Sequence, residues 1–337
     1  MLPKRRKKLI ASMKQTLKDD KGIALFLVLW VLTLLMVIVG EFCYTMKTEI
    51  NITRNFKENT EGYYIAMAGL NRTIAELIKS AYSPPKIDLY SAEEDEEEEI
   101  EWRANAAIPP IIFKGGEYKI EIENESGKIN LNRASRDLLK MMLNSFDLDE
   151  EDKDSIADSI LDWRDQDNLH RLNGAEDDYY LSLSEPYECK DGDFDTIEEL
   201  LLVKGIIPEI FYGGLDGMIT IYSDLEKINI NSASKKMLLS LPRMTDTSAQ
   251  EIIDHRKEKK FESITELIDI IDPDTYTALS HYITLKTSPY YTVKSFGSME
   301  GSKINRGIKA LIRIDTTTKK GYRFVEWIDL AEDHLVF

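Results

Sequence analysis

Residues Ile23–Gly40 read IALFLVLWVLTLLMVIVG, eighteen residues without a charge, directly behind a basic leader ending Lys21-Gly22. As an α-helix they span about 27 Å, close to the hydrocarbon thickness of a bilayer. The leader Met1–Gly22 carries Lys4, Arg5, Arg6, Lys7, Lys8, Lys14, Lys18 and Lys21 against Asp19 and Asp20. A flank this basic stays cytoplasmic, so the chain after Gly40 is expected on the outer side of the membrane. The helical pattern does not stop there. No proline intervenes between Glu41 and Tyr82, Leu70, Ile74, Leu77 and Ile78 recur at helical spacing, and Pro84-Pro85 ends the run. One helix over 23–82 is therefore expected, about 90 Å long, with Gly62 and Gly69 marking kinks or close contacts.

Outward from this helix, composition narrows the classes. The 337 residues carry a formal charge of −17, and removing the leader's basic excess takes it to −23. A body this acidic repels nucleic acid and anionic lipid and tolerates divalent cations. Cys43 and Cys189 stand far apart in the chain, at the membrane exit and in a distal loop, and are read as separate thiols. The run Glu93–Glu99, seven acids in a row, is read as a solvated loop.

Residues 116–123 (GEYKIEIE) alternate apolar and charged, the pattern of a half-buried strand. Alternation returns only at Tyr291–Phe296, Ile308–Ile314 and Tyr322–Ile328, the last two joined by a hairpin-like connection, Asp315–Gly321. Strands split this way predict one antiparallel sheet interrupted by an inserted domain. The insertion repeats itself. KINLNRASRDLL at 128–139 matches KININSASKKML at 227–238, Ile160–Arg164 matches Ile252–Arg256, and Phe194–Leu200 matches Phe261–Leu267. The offset falls from 99 to 92 to 67, so the first copy holds about 25 extra residues. Each copy is expected to be a small helical unit, with Asn132 and Asn231 near a capped helix start.

Those extra residues read DQDNLHRLNGAEDDYYLSLSEPYECKDGD (165–193). Asp165, Asp167, Glu176, Asp177, Asp178, Asp191 and Asp193 supply the oxygen donors a hard cation such as calcium requires. The competing reading is a solvated loop with Tyr179, Tyr180 and Tyr187 packed on the helices. No EF-hand spacing occurs, and His170 with Cys189 makes no zinc set. The four histidines lack motif partners, and no nucleophile elbow or phosphate loop is present, so no catalytic residues are assigned and no enzyme is expected.

The order of basic leader, Lys-Gly and apolar helix resembles the prepilin leader of type IV pilins and type II secretion pseudopilins. The repeats resemble helix-hairpin-helix modules, including those of competence proteins that bind DNA. Such hairpins hold phosphate at a Gly-hydrophobic-Gly turn. Here that turn is Arg243-Met244-Thr245 in the second copy and Asn144-Ser145-Phe146-Asp147 in the first, followed by Asp149, Glu150, Glu151 and Asp152. Acids facing phosphates carry the wrong sign, so the modules are read as structural and no nucleic acid is expected.

Taken jointly, Lys21-Gly22 with Ile23–Gly40, Ile160-Leu161-Asp162-Trp163-Arg164-Asp165, Gly174–Tyr180, Glu199-Leu200, Val203-Lys204-Gly205-Ile206 and Ile228-Asn229-Ile230-Asn231 resemble the K-type minor pseudopilin family of the type II secretion pathway. The resemblance implies an α+β fold. It has a pilin-like long N-terminal helix and antiparallel sheet, interrupted by a large all-α insertion with two helix-hairpin-helix or SAM-like repeats. The corresponding division is leader 1–22, helix 23–82 with 23–40 transmembrane, and a head formed by 83–124 and 287–337. The insertion is then 125–286, with repeats at about 126–206 and 225–285.

The same resemblance implies cleavage by prepilin peptidase after Gly22, N-methylation of Ile23, and bound calcium. It implies I- and J-type pseudopilins and the inner-membrane secretion machinery as partners. The location implied is the inner membrane with a periplasmic bulk, then a pseudopilus tip, where the chain initiates assembly and supports export. Leu27, fifth residue after the cut, stands where most relatives place a glutamate that neutralises a neighbour's terminal ammonium. A minor type IV pilin and a membrane-anchored DNA receptor of the competence type are the alternatives.

Overall fold

The computed structural model describes residues 20–82 and 100–330. Residues 1–19 of the leader and the acidic run Glu93–Glu99 lie outside them. The chain divides into two units, residues 1–60 and 61–337. In the first, helix α1 (Asp20–Tyr82) begins, and every side chain from Ile23 to Ile50 is exposed. Among the described residues this is the one helix long and apolar enough to cross a membrane.

In the second unit, the later turns of α1 lie on an antiparallel sheet. Its strands are β1 (Ile111–Phe113), β2 (Gly116–Asn124), β7 (Tyr290–Met299), β8 (Asn305–Ile314) and β9 (Tyr322–Leu330), in the spatial order β1-β2-β7-β8-β9. Ile65, Ala66, Leu70, Ile74 and Leu77 of α1 meet Tyr118, Ile120 and Ile122 of β2, Val293 of β7, and Ile308, Ala310, Ile312 and Ile314 of β8. Burying each large aliphatic side chain stabilises the unit by roughly 1.5–3 kcal/mol. The helix can approach this closely because of Gly69. A Cβ there would lie 2.6 Å from Ser295 Oγ and 2.8 Å from the Tyr118 ring. Gly69 thus marks a close contact, with no kink needed to explain it.

β2 and β7 pair from Gly116↔Met299 to Asn124↔Tyr291, although residues 125–289 separate them in the chain. The point where the insertion leaves the sheet is clasped. Asn124 Nδ2 donates to the Ser288 carbonyl at 2.8 Å, and Ser288 N donates back to Asn124 Oδ1 at 3.0 Å. Beside them Thr292 Oγ1 donates to the buried Glu125 at 2.8 Å.

The inserted residues form a second core. The first copy contains β3 (Ile129–Asn130), α2 (Arg136–Met142), α3 (Glu150–Arg164), the single turn α4 (Asp177–Tyr180), a 3-10 helix (Ile197–Leu202) and β4 (Ile219–Thr220). The second contains β5 (Ile228–Asn229), α5 (Lys235–Ser240), α6 (Asp246–Glu258), a 3-10 helix (Ile264–Asp269), α7 (Pro273–Leu279) and β6 (Ile283–Thr284). Each copy closes with a two-residue parallel bridge, β3 to β4 and β5 to β6, which the helical pattern does not announce.

The capped helix starts expected beside the repeated I-N-x-N motif are present. The caps are Ser135 and Ser234, which accept from Leu138 N and Met237 N. Asn132 instead clamps the backbone of Phe194, accepting from its N–H at 2.8 Å and donating to its carbonyl at 3.0 Å. Asn231 clamps Phe261 in the same way, at 2.9 and 3.0 Å. Arg164 Nη2 donates to the Ala134 carbonyl at 2.7 Å and Arg256 Nη1 to the Ile230 carbonyl at 2.9 Å, tying the middle helix of each copy to its asparagine loop.

Candidate cation site

The 165–193 loop starts where α3 ends and is organised by a carboxylate inside that helix. Asp162 is fully buried and accepts from Arg171 N at 3.1 Å, Ala175 N at 2.9 Å and Arg171 Nη1 at 2.5 Å. These bonds fold 166–174 back over the end of α3. Burial still pushes the Asp162 carboxyl above its ordinary value, against the pull of Arg171. Gly174 must lack a side chain, because a Cβ there would stand 1.8 Å from Asp162 Oδ2.

Under the loop, Trp163 meets Tyr180 edge-on at 5.3 Å and stacks on Phe194 at 6.5 Å, and Tyr180 stacks on Tyr187 at 5.3 Å. Lys204 crosses the Tyr179 ring at 5.1 Å and donates to the carbonyls of Asn173 and Gly174. The tyrosine packing and the acidic cluster are therefore both present in one loop.

Of the seven acids singled out, Glu176 and Asp191 come together, with Cys189, and Asp165 adds its charge to theirs. Glu176, only 1% exposed, has no hydrogen-bond partner on either carboxylate oxygen. Asp191 Oδ1 and Asp165 Oδ1 are likewise buried and unpartnered. One ligating atom each from Glu176, Asp191 and Cys189 lies within 4.8 Å of the others. Asp191 adopts a left-handed backbone, φ 52°, a conformation disfavoured for a non-glycine residue.

The other four acids sit differently. Asp177 is committed to Cys189 N at 2.8 Å and Asn168 Nδ2 at 3.2 Å. Asp167 closes a local turn by accepting from Leu169 N. Asp167, Asp178 and Asp193 are exposed, so the loop spaces them for solvent and leaves them out of the cluster. Gly22, Ile23 and Leu27 all fall within α1, and Leu27 is exposed.

Arg171, the cation of this loop that reaches Asp165, is already used. Arg171 Nη1 lies 2.5 Å from Asp162 and 2.6 Å from Asp165 Oδ2, and neither Glu176 nor Asp191 has an ion-pair partner among the described residues. Burial, followed by the carboxylates of Asp162, Asp191 and Asp165, pushes Glu176 up to about 7. Burial and the adjacent Glu176 and Asp191 carboxylates push the Cys189 thiol up to about 12. Buried, unpartnered carboxylate oxygens of one sign are costly without a counter-charge. The donor set therefore fits a hard divalent cation such as calcium, which Glu176 and Asp191 would hold, with Asp165 beside them.

Sequence reasoning missed Asp162, Gly174 and Cys189. Asp162 and Gly174 sit in stretches that carry the family resemblance, but their pairing depends on the loop folding back. Cys189 was set aside as a lone thiol, and the structure puts its sulfur against two carboxylates because Asp177 holds its backbone N–H in place.

Comparison with known proteins agrees with this architecture. Residues 121–224 match the family described as Type II secretion system (T2SS), protein K, and residues 223–284 match the helix-hairpin-helix motif family. Type II secretion system protein K of Pseudomonas aeruginosa is 26% identical over 260 residues, covering 73% of this chain and 75% of the relative. The protein of that name from Pectobacterium carotovorum is 25% identical over 177 residues, covering 50% and 54%. A chain from the crystal structure of the GspK-GspI-GspJ complex of enterotoxigenic Escherichia coli superposes with a TM-score of 0.53 at 16% identity. It covers 83% of this chain and 99% of that one, a likeness of fold. Helix, split sheet, doubled helical insertion and the family match over residues 121–224 converge on one likeness, to the type II secretion system protein K family.

Proposed function

We propose that this chain is a minor pseudopilin at the tip of a type II secretion pseudopilus, where it initiates assembly and supports protein export across the outer membrane. It acts as a structural subunit and carries out no catalysis. The observation that carries the reading is the order of its parts. An uncharged apolar run opens a helix whose later turns pack on a sheet, and a bulky insertion splits that sheet between β2 and β7. In this reading prepilin peptidase cuts after Gly22, Ile23 becomes the methylated first residue, and Leu27 occupies the position of the usual glutamate.

The mature helix packs against those of I- and J-type minor pseudopilins, a partnership supported by the solved GspK-GspI-GspJ complex of a relative. Before assembly the chain spans the inner membrane once with its bulk in the periplasm, in contact with the inner-membrane secretion machinery. Calcium at Asp165, Glu176 and Asp191 is part of the proposal; it stabilises the long loop of the first repeat. The test is complementation of a strain lacking its own K-type subunit, read as export of a secreted hydrolase. Mass spectrometry of the mature N-terminus and co-purification of the full chain with I- and J-type partners accompany it. A chain that still starts at Met1, or that restores no export while folded, would sink the reading.

The helix-hairpin-helix match over 223–284 favours a second reading, a DNA receptor. The turn of that hairpin carries Arg243, paired at 3.5 Å with Asp274, and α5 before it opens with Lys235, paired at 2.9 Å with Asp246. Cations already answered by acids make a poor phosphate site. Salt-dependent retardation of duplex DNA by the full chain would favour the receptor instead.

A further inference from the structure

We propose that Cys189 is itself a metal ligand, so that the Asp165–Glu176–Asp191 cluster accepts a thiophilic divalent ion of the zinc class through a metal–sulfur bond. The inference rests on reading the cluster as a cation site and goes beyond calcium. Three observations carry it. The Cys189 sulfur belongs to the donor set, within 4.8 Å of carboxylate oxygens of both Glu176 and Asp191. It is 7% exposed and forms no disulfide. Its position is fixed, because its own N–H is held by Asp177 Oδ1 at 2.8 Å. Glu176, buried with both oxygens unpartnered, points independently to a bound cation at the same place.

The chemistry follows from donor softness. Calcium takes six to eight oxygens and gains nothing from sulfur. Zinc and cadmium form short, strong bonds to thiolate and are satisfied by four ligands, which Cys189, Glu176, Asp191 and either Asp165 or water supply. On binding, the S–H bond breaks, the proton leaves to water, and the sulfur–metal bond forms. No electron is transferred. A site with three carboxylates and one thiol thus answers two classes of ion, and Cys189 sets the balance between them.

The experiment uses the full chain in detergent with Cys43→Ser, which leaves Cys189 as the sole thiol. Cadmium is added and the ultraviolet sulfur-to-metal charge-transfer band is followed, with calcium binding measured in parallel by calorimetry. The expected result is a saturable band at one equivalent. Cys189→Ser and Cys189→Ala should each abolish the band and weaken cadmium binding at least about tenfold, while calcium heat persists within about twofold. Persistence of the calcium signal also shows that the variants fold. Cadmium bound without the band, or bound equally well by both variants, overturns the inference and leaves the calcium reading intact. Absence of binding by either ion in the parent overturns the cation site itself.

Discussion

Asp162 and Glu176 are both buried carboxylates of the first repeat, and their surroundings make them opposites. Asp162 accepts from two backbone N–H groups and from Arg171, so removing it orphans the N–H groups of Arg171 and Ala175, leaves the guanidinium to Asp165 alone, and releases the loop. Asp162→Ala is expected to destabilise the fold by about 3–5 kcal/mol, measured as a lowered urea midpoint. Glu176 has no nitrogen or hydroxyl donor on either oxygen, and only the neighbouring Cys189 thiol pulls its pKa down. Its raised folded-state pKa means that the ion-free fold holds this proton more tightly than the unfolded chain does. The resulting stabilisation is whole below pH 4.5 and is lost as pH climbs to about 7. Glu176→Gln mimics the protonated form. In EDTA it should therefore melt higher than the parent at pH 8, by about 1–3 kcal/mol, and match it at pH 4. With calcium present at pH 8 the order should reverse, since the variant has lost a ligand. Differential scanning calorimetry with and without the ion reads both outcomes.

Among the elements, the two repeats show what a shared sequence pattern encodes. Asn132 and Asn231 each satisfy both backbone groups of a phenylalanine that starts the third helical turn of its copy. Asn231→Ala removes two such bonds next to the buried Phe261 and is expected to cost about 2 kcal/mol, read as earlier amide exchange in 261–267. The α1–sheet contact is tested by Gly69→Leu. Its side chain would collide with Tyr118 and Ser295 and lift the helix from the sheet, raising proteolysis of residues 61–82. Where the copies differ, so does their chemistry. Trp163 of the first copy sits in an aromatic cluster beneath the acidic loop, whereas His255 at the matching position stacks on Phe261 at 4.5 Å with no such loop above it.

For the whole molecule, the insertion is a guest in the sheet. β2 and β7 keep one continuous register, and the Asn124–Ser288 clasp brings the entry and exit of the guest together. Replacing residues 127–286 by a short turn is therefore expected to leave a folded α1–sheet unit. Retained β-type circular dichroism and one cooperative melt would bear this out; a molten chain would show that the insertion is needed for the sheet to form. Apolar periodicity made the split legible beforehand, since the GEYKIEIE alternation and its three later counterparts all became strands of one sheet. β1, three residues long, and the two-residue bridges were too short to leave a period and were not legible.

The sequence by itself determined the apolar helix, the alternating strands and the duplicated helical unit. Each depends on a local spacing of apolar side chains that survives in any context. It also placed the acidic residues in one loop. Which of them gather around Glu176 was settled by folding, because burial and lost hydrogen-bond partners are properties of the folded loop. Asp162 turns the chain back, Asp177 anchors Cys189, and Glu176, Asp191 and Asp165 are left with buried oxygens that nothing in the protein answers. The seven candidate acids of 165–193 are alike in sequence. Only folding separated those that face water from those whose oxygens are buried without a partner.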